Sequence, residues 1–230
     1  MASHGYVVAG LNHSELVAPE LAARGGETPE QRAAGAEAII ESRVPDIQFL
    51  LDYVLTRAKL EPAPVGIVGH SFGGWTALAS LDTVLQIRAV VALAPAGSSN
   101  TRLEILPAKL AFKWGRDVPT LILAAENDVC VPIDGVYEIF KRVPAAKRMV
   151  ILRGADHMHF MNNIERLHEA VRTSPPSIPE LDYLQKEMRP IAELCTAEQS
   201  HLFVRALTVA QFDAVLKHDN DARRFLADDI

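Results

Sequence analysis

The chain has little with which to staple, chelate or span. Only two of its 230 residues are cysteines, Cys130 and Cys195, too few for a disulfide framework or a thiolate metal cluster. They read as two small buried apolar side chains. No run of basic residues exceeds the pairs Lys141-Arg142, Lys147-Arg148 and Arg223-Arg224, and the net charge is −6. No basic stripe offers itself to phosphates, so nucleic acid is not an expected partner. Apolar runs stop at about strand length, far short of the roughly 20 residues of a membrane-spanning helix. Residues Met1 to Gly5 carry no basic stretch and no small-residue cleavage site, so no secretory leader is expected, and the cytoplasm is the expected compartment. H-E-x-x-H, Walker A and dinucleotide fingerprints are all missing, and neither a metal nor an organic cofactor is expected. There is no internal repeat and no low-complexity tract.

What is present is a set of short, continuous apolar segments: Tyr6 to Leu11, Val65 to Val68, Ala89 to Ala94, Thr120 to Ala124 and Met149 to Leu152. Continuous rather than alternating apolar character predicts burial on both faces, as in a parallel sheet. Helical patterns lie between them. Ile47, Leu50, Leu51, Val54, Leu55 and Ala58 form one apolar stripe that starts just after Pro45 and Asp46. Gly73 to Leu85 and Asp134 to Arg142 can also be helical. Strands alternating with helices predict a single domain over 1–230 built on a doubly wound, mostly parallel α/β sheet, whose ligands gather beyond the carboxyl ends of the strands. A turn-rich break at 173–179 and helical patterns on either side predict a helical insertion over 161–200, serving either as a lid or as a cover for the sheet. A final helix is expected over 201–229.

Chemistry enters with Gly69-His70-Ser71-Phe72-Gly73, which matches G-x-S-x-G. A serine on a sharp strained turn needs little bulk two residues to either side, so that strand and helix can approach each other. With Gly and Ser each near ~7% of residues, about one chain of this length in twelve would carry the pattern by chance. Context therefore decides. Here the motif follows the apolar run Val65 to Val68 and opens the helical pattern from Gly74. A serine hydroxyl needs a base and an orienting acid, which follow in the order Ser, acid, His. Asp128 is favoured as the acid over Glu126, Asp134 and Asp156, because it lies in the loop after an apolar segment and before a helix start at Pro132. His157, directly after the turn Gly154-Ala155, is favoured as the base over His159. His70 is expected to line or support the pocket. The backbone N–H of Phe72 is expected to meet an oxyanion.

These residues resemble the α/β-hydrolases, and among them the dienelactone-hydrolase-like and platelet-activating-factor-acetylhydrolase-like serine esterases. The likeness is carried by Ala2 to Ala9, Gly69-His-Ser-Phe-Gly-Gly74, Asn127-Asp128, Gly154-Ala-Asp-His157 and Gln211 to Lys217. It implies Ser71 as nucleophile, Asp128 and His157 as its partners, Phe72 as one oxyanion donor, and a small-molecule carboxylic ester as substrate. True dienelactone hydrolases carry a cysteine nucleophile, so Ser71 points toward ordinary esters. In the family, a segment like Ala2 to Ala9 follows three strands and the loop that donates the second oxyanion N–H. Two arrangements follow from this. Either the chain is a truncated form with an unpaired sheet edge that favours homo-oligomers, or Tyr6 to Leu11 pairs directly with Val65 to Val68 and the loop Asn12-His13-Ser14 supplies the donor. The rival expectation is a non-catalytic or weakly active relative without a complete oxyanion hole.

Overall fold

A computed structural model describes residues 1–17, 27–57, 63–99, 108–174 and 182–227. These residues form two compact units, one within Met1–Pro64, joined by Ala108, and the other from Val65 onward. The first holds the short helix α1 (Ser14–Val17) and the long helix α2 (Pro29–Arg57). Asp46 of α2 fastens α1, since Ser14 donates to it from both its amide (2.8 Å) and its hydroxyl (2.6 Å), and His13 Nδ1 lies 3.0 Å from the same carboxylate. The apolar stripe expected to begin after Pro45 belongs to a longer helix that runs straight through that proline. Proline deletes one backbone bond in mid-helix and is tolerated here at that local loss. Ala58 and Leu181, also expected in helices, lie outside the described residues, as do residues 175–179 of the turn-rich break.

The second unit is built on four parallel strands in the order β1 (Val65–His70), β2 (Ile87–Leu93), β3 (Thr120–Ala125) and β4 (Lys147–Leu152). All six residues of β3 and all of β2 except Arg88 are buried. That is the physical content of the continuous apolar runs: consecutive side chains point to opposite faces, so both faces are covered. Helix α3 (Phe72–Ala79) packs on β1 and β2, α4 (Ile133–Arg142) on β3, and α7 (Ala197–Leu216) on β1, β2 and β3. Gly66 exists for α7: a Cβ there would stand 2.7 Å from the Phe212 ring. Helix α7 starts from a capping box in which Thr196 and Gln199 satisfy each other's amides. The doubly wound α/β sheet is therefore present.

Two expectations are corrected. Tyr6 to Leu11 is not a strand; Val7 and Val8 are 68% and 60% exposed, whereas a strand inside a parallel sheet would bury both. With no strand there, direct pairing with β1 falls, and among the described residues β1 has β2 as its one neighbour. The helix expected over 201–229 is two helices, α7 and α8 (Asn220–Ala227), separated where His218 adopts φ +59°. Between β4 and α7 lie α5 (Ile164–Thr173) and α6 (Asp182–Glu187). None of the described helices is long and apolar enough to cross a membrane.

Candidate active site

β1 ends at His70, and the chain turns at Ser71 with φ 57° and ψ −119° before entering α3. A left-handed φ on a non-glycine residue costs roughly 1–2 kcal/mol and persists only where the surroundings impose it. Here they do: Ser71 N donates to Leu93 O at the end of β2 (2.8 Å), and Ser71 O accepts from Trp75 N and Ala96 N. The hydroxyl does not cap α3. Phe72 is the first residue of that helix, where backbone N–H groups lack intrahelical acceptors.

The glycines of the motif play unequal parts. A Cβ on Gly69 would stand 2.1 Å from the Gly73 carbonyl oxygen, a clash of backbone with backbone. At Gly73 a Cβ would meet nothing within 4 Å, so that position lacks the steric demand expected of it. The third glycine is the tighter one, because a Cβ on Gly74 would come 3.0 Å from Pro95 Cα.

The loops that carry Asp128 and His157 leave β3 and β4 side by side. Asn127 N donates to Ala155 O (2.8 Å) and Glu126 N to Leu152 O (3.1 Å), which carries the sheet's pairing past the strand ends. Asp128 is buried, and its oxygens divide the work. Oδ1 accepts from the amides of Cys130 (2.9 Å) and Val131 (2.7 Å), and Oδ2 lies 2.7 Å from His157 Nδ1. A proton on Nδ1 shared with Asp128 leaves Nε2 as the basic nitrogen. Of the acids weighed against Asp128, Glu126 is exposed and bound to Arg153 and the Gly154 amide. Asp134 is exposed in the first turn of α4. Asp156 faces His159 rather than His157, and His159, fully buried, turns away from Asp128 toward Asp156 and Cys195 O.

His70 connects the two halves of the site. Its ring lies 4.5 Å from that of His157 and 5.4 Å from that of Phe160, and among the described residues its buried Nε2 has no hydrogen-bond partner. Burial, and then the nearness of His157, push its pKa down to about 3, so it is a neutral ring. Among the described residues, no hydrogen bond joins Ser71 Oγ to His157, whose Nδ1 is held by Asp128. The expected donor loop at Asn12-His13-Ser14 is otherwise engaged, since the Ser14 amide is spent on Asp46.

Ligand atoms of Asp128, Cys130 and His157 lie within 4.8 Å of one another, as do those of His13, Glu15 and Asp46. In the first set the carboxylate and imidazole already bind each other. Burial, with Asp128 and Asp156 nearby, pushes the Cys130 thiol pKa well up, so it stays protonated. In the second set Glu15 is paired with Arg43. Both are hydrogen-bonded or ion-paired clusters rather than open ligand cages.

A parallel sheet with a strained serine turn at one strand end, and a carboxylate–imidazole pair at two later ones, defines an α/β hydrolase architecture. The chain belongs to the alpha/beta hydrolase family, whose model matches residues 2–119. It is similar to cutinase est1 of Thermobifida alba, 25% identical over 171 residues that cover 71% of this chain and 47% of the relative. The chain thus spans about half the length of that curated relative. Among solved structures it is similar to esterase PE8 (TM-score 0.42, 19% identity, 72% of this chain and 68% of the other). It is also similar to acetyl xylan esterase 1 from Thermoanaerobacterium sp. JW/SL YS485 (TM-score 0.46, 15% identity, 64% and 58%).

Proposed function

We propose that the chain is a carboxylic-ester hydrolase in which Ser71 is the nucleophile, His157 the general base and Asp128 the orienting acid. The observation that carries this is the 2.7 Å pairing of His157 Nδ1 with Asp128 Oδ2, both buried, beyond the ends of β3 and β4. Ser71 Oγ attacks the ester carbonyl carbon while His157 Nε2 takes its proton. The same nitrogen then returns that proton to the departing alcohol, leaving an acyl group on Ser71. Water, deprotonated in turn by His157, attacks the acyl carbonyl, the bond to Ser71 Oγ breaks, and His157 returns the proton to that oxygen as the acid leaves. Asp128 stabilises the imidazolium formed in each half. The N–H of Phe72 meets the oxyanion, a position worth about 10² to 10³ in turnover when a donor is removed. Likeness to a cutinase supports the ester class, and the serine supports ordinary esters.

The competing reading, an inert or weakly active member of the family, draws on the spent Ser14 amide and on the lack of a Ser71–His157 hydrogen bond. A fluorophosphonate probe separates the two, since it needs an activated serine. Labelling of Ser71 in the native chain, together with hydrolysis of short p-nitrophenyl esters that disappears in Ser71→Ala, is the expected result. Absence of labelling, or activity unchanged in Ser71→Ala, overturns the proposal.

A further inference from the structure

One residue before the base, Asp156 sits in a buried cluster that the hydrolytic scheme does not use. Its carboxylate lies between two histidines that are both fully buried. His159 Nδ1 is 2.6 Å from Asp156 Oδ1, and His168 Nδ1 is 2.5 Å from Asp156 Oδ2, the latter off line for a hydrogen bond. Each ring meets a backbone carbonyl on its other side: His159 Nε2 lies 2.9 Å from Cys195 O, and His168 Nε2 lies 2.8 Å from Arg189 O. The cluster thereby ties the far end of the α5–α6 segment to the turn that presents His157.

An imidazole with an acceptor against each nitrogen is satisfied only when both nitrogens carry protons. His159 meets that condition and has one alternative. Its Nδ1 is also 3.0 Å from the Asp156 amide nitrogen. A neutral His159 would accept from that amide and give up the carboxylate, because one nitrogen cannot donate and accept at once. The two protonation states therefore hold Asp156 in two different ways, by its carboxylate or by the amide it shares with Ala155. In the charged state the carboxylate is shared between Met158 N, His159 and His168. In the neutral state the grip passes to the main chain.

We propose that Asp156 is a positioning residue for the base, holding His157 in register with Asp128 while His159 is protonated on both nitrogens. This rests on the assignment of His157 as base. The groups around the cluster favour the charged state. Burial works against the His159 imidazolium, but the bond to Asp156, the Cys195 carbonyl, the Asp156 charge and Glu165 outweigh it and raise the pKa above its usual value. Burial likewise opposes ionisation of Asp156, yet His159, His168 and the Met158 amide hold its carboxyl below the ordinary range. Glu169 stands 3.9 Å from His168 Nε2 and is itself paired with Arg172. The Cys130 and Cys195 thiols, pushed up by burial and by Asp156, add no charge.

Because the pKa of His159 is raised, the cluster is intact below it and discharges as pH rises through it. A serine hydrolase limited by its base alone gains activity with pH and then levels off. Here kcat for p-nitrophenyl acetate should fall again on the alkaline side, by roughly tenfold to a hundredfold for a small misplacement of the base, with KM nearly constant. His159→Gln keeps an N–H donor and has no ring proton to lose, so its alkaline side should be flat. A flat wild-type profile, or the same fall in both proteins, overturns the proposal. Should the variant not fold, ¹⁵N-histidine spectra of the wild-type chain decide. A ring that stays doubly protonated above the pH at which ordinary imidazoles lose their proton, and that titrates together with the fall in kcat, supports the proposal, and no such ring overturns it. Fluorophosphonate labelling tells the two readings apart: no label at Ser71 removes the base assignment, whereas a labelled Ser71 with no alkaline fall removes this inference alone.

Discussion

His157 Nδ1 and Asp128 Oδ2 stand 2.7 Å apart although 29 residues separate them in the chain. Two amides hold Asp128 Oδ1 while Oδ2 faces His157 Nδ1, so the carboxylate favours the tautomer with the proton on Nδ1 and fixes the ring's orientation. Replacing it by an amide keeps the shape and loses that selection. Asp128→Asn is expected to lower kcat for short p-nitrophenyl esters by about 10⁴-fold. The melting temperature should change little, and a circular-dichroism melt run beside the assay checks that the loss is chemical.

The serine turn predicts opposite outcomes for two glycines in one motif. Gly69→Ala drives a methyl into the Gly73 carbonyl, which no side-chain movement can relieve, and should destabilise the chain by roughly 3 kcal/mol or more. Gly73→Ala meets open space and should stabilise by about 0.4–1 kcal/mol through the unfolded state. Urea denaturation of the two variants measures both signs.

His70 makes acid stability a test of burial. Its folded pKa of about 3 lies below that of the unfolded chain, so between these values the unfolded state binds the extra proton and stability falls as pH falls. The slope is roughly 1.4 kcal/mol per pH unit. His70→Asn removes the titrating ring. Between pH 6.5 and 5 the wild type should lose about 1–2 kcal/mol more than this variant, read from denaturant midpoints at the two pH values.

Cys130 lies beside Asp128 and His157 and is held as a thiol. Burial, reinforced by Asp128 and Asp156, keeps it a thiol, and alkylation requires the thiolate. Iodoacetamide at pH 8 should leave ester hydrolysis unchanged and Cys130 unmodified over a period in which the denatured chain reacts fully. Peptide mass mapping after each incubation reads this directly.

The four strands were legible as short apolar runs; burial on both faces accounts for β2 and β3, whereas β1 and β4 at the ends of the strand order are mostly half-buried and Val68 is 44% exposed. The serine turn was legible for a local reason: the clash at Gly69 involves atoms only four residues apart. Tyr6 to Leu11 carries the same apolar signal and is no strand, since a strand exists only where a neighbour completes its hydrogen bonds. Pro45 looked like a helix start because it removes one donor, but the loss of a single bond does not end a helix otherwise well formed. His157 and His159 could not be told apart with assurance from their letters, being the same residue type two positions apart. Their roles diverge because a short 3-10 turn points one ring at a carboxylate delivered by β3 and the other at the carboxylate of its own cap. Steric and burial demands that act over a few residues are written in composition and spacing. Which imidazole meets which carboxylate depends on how distant strand ends are brought together, and packing of the whole sheet settles that.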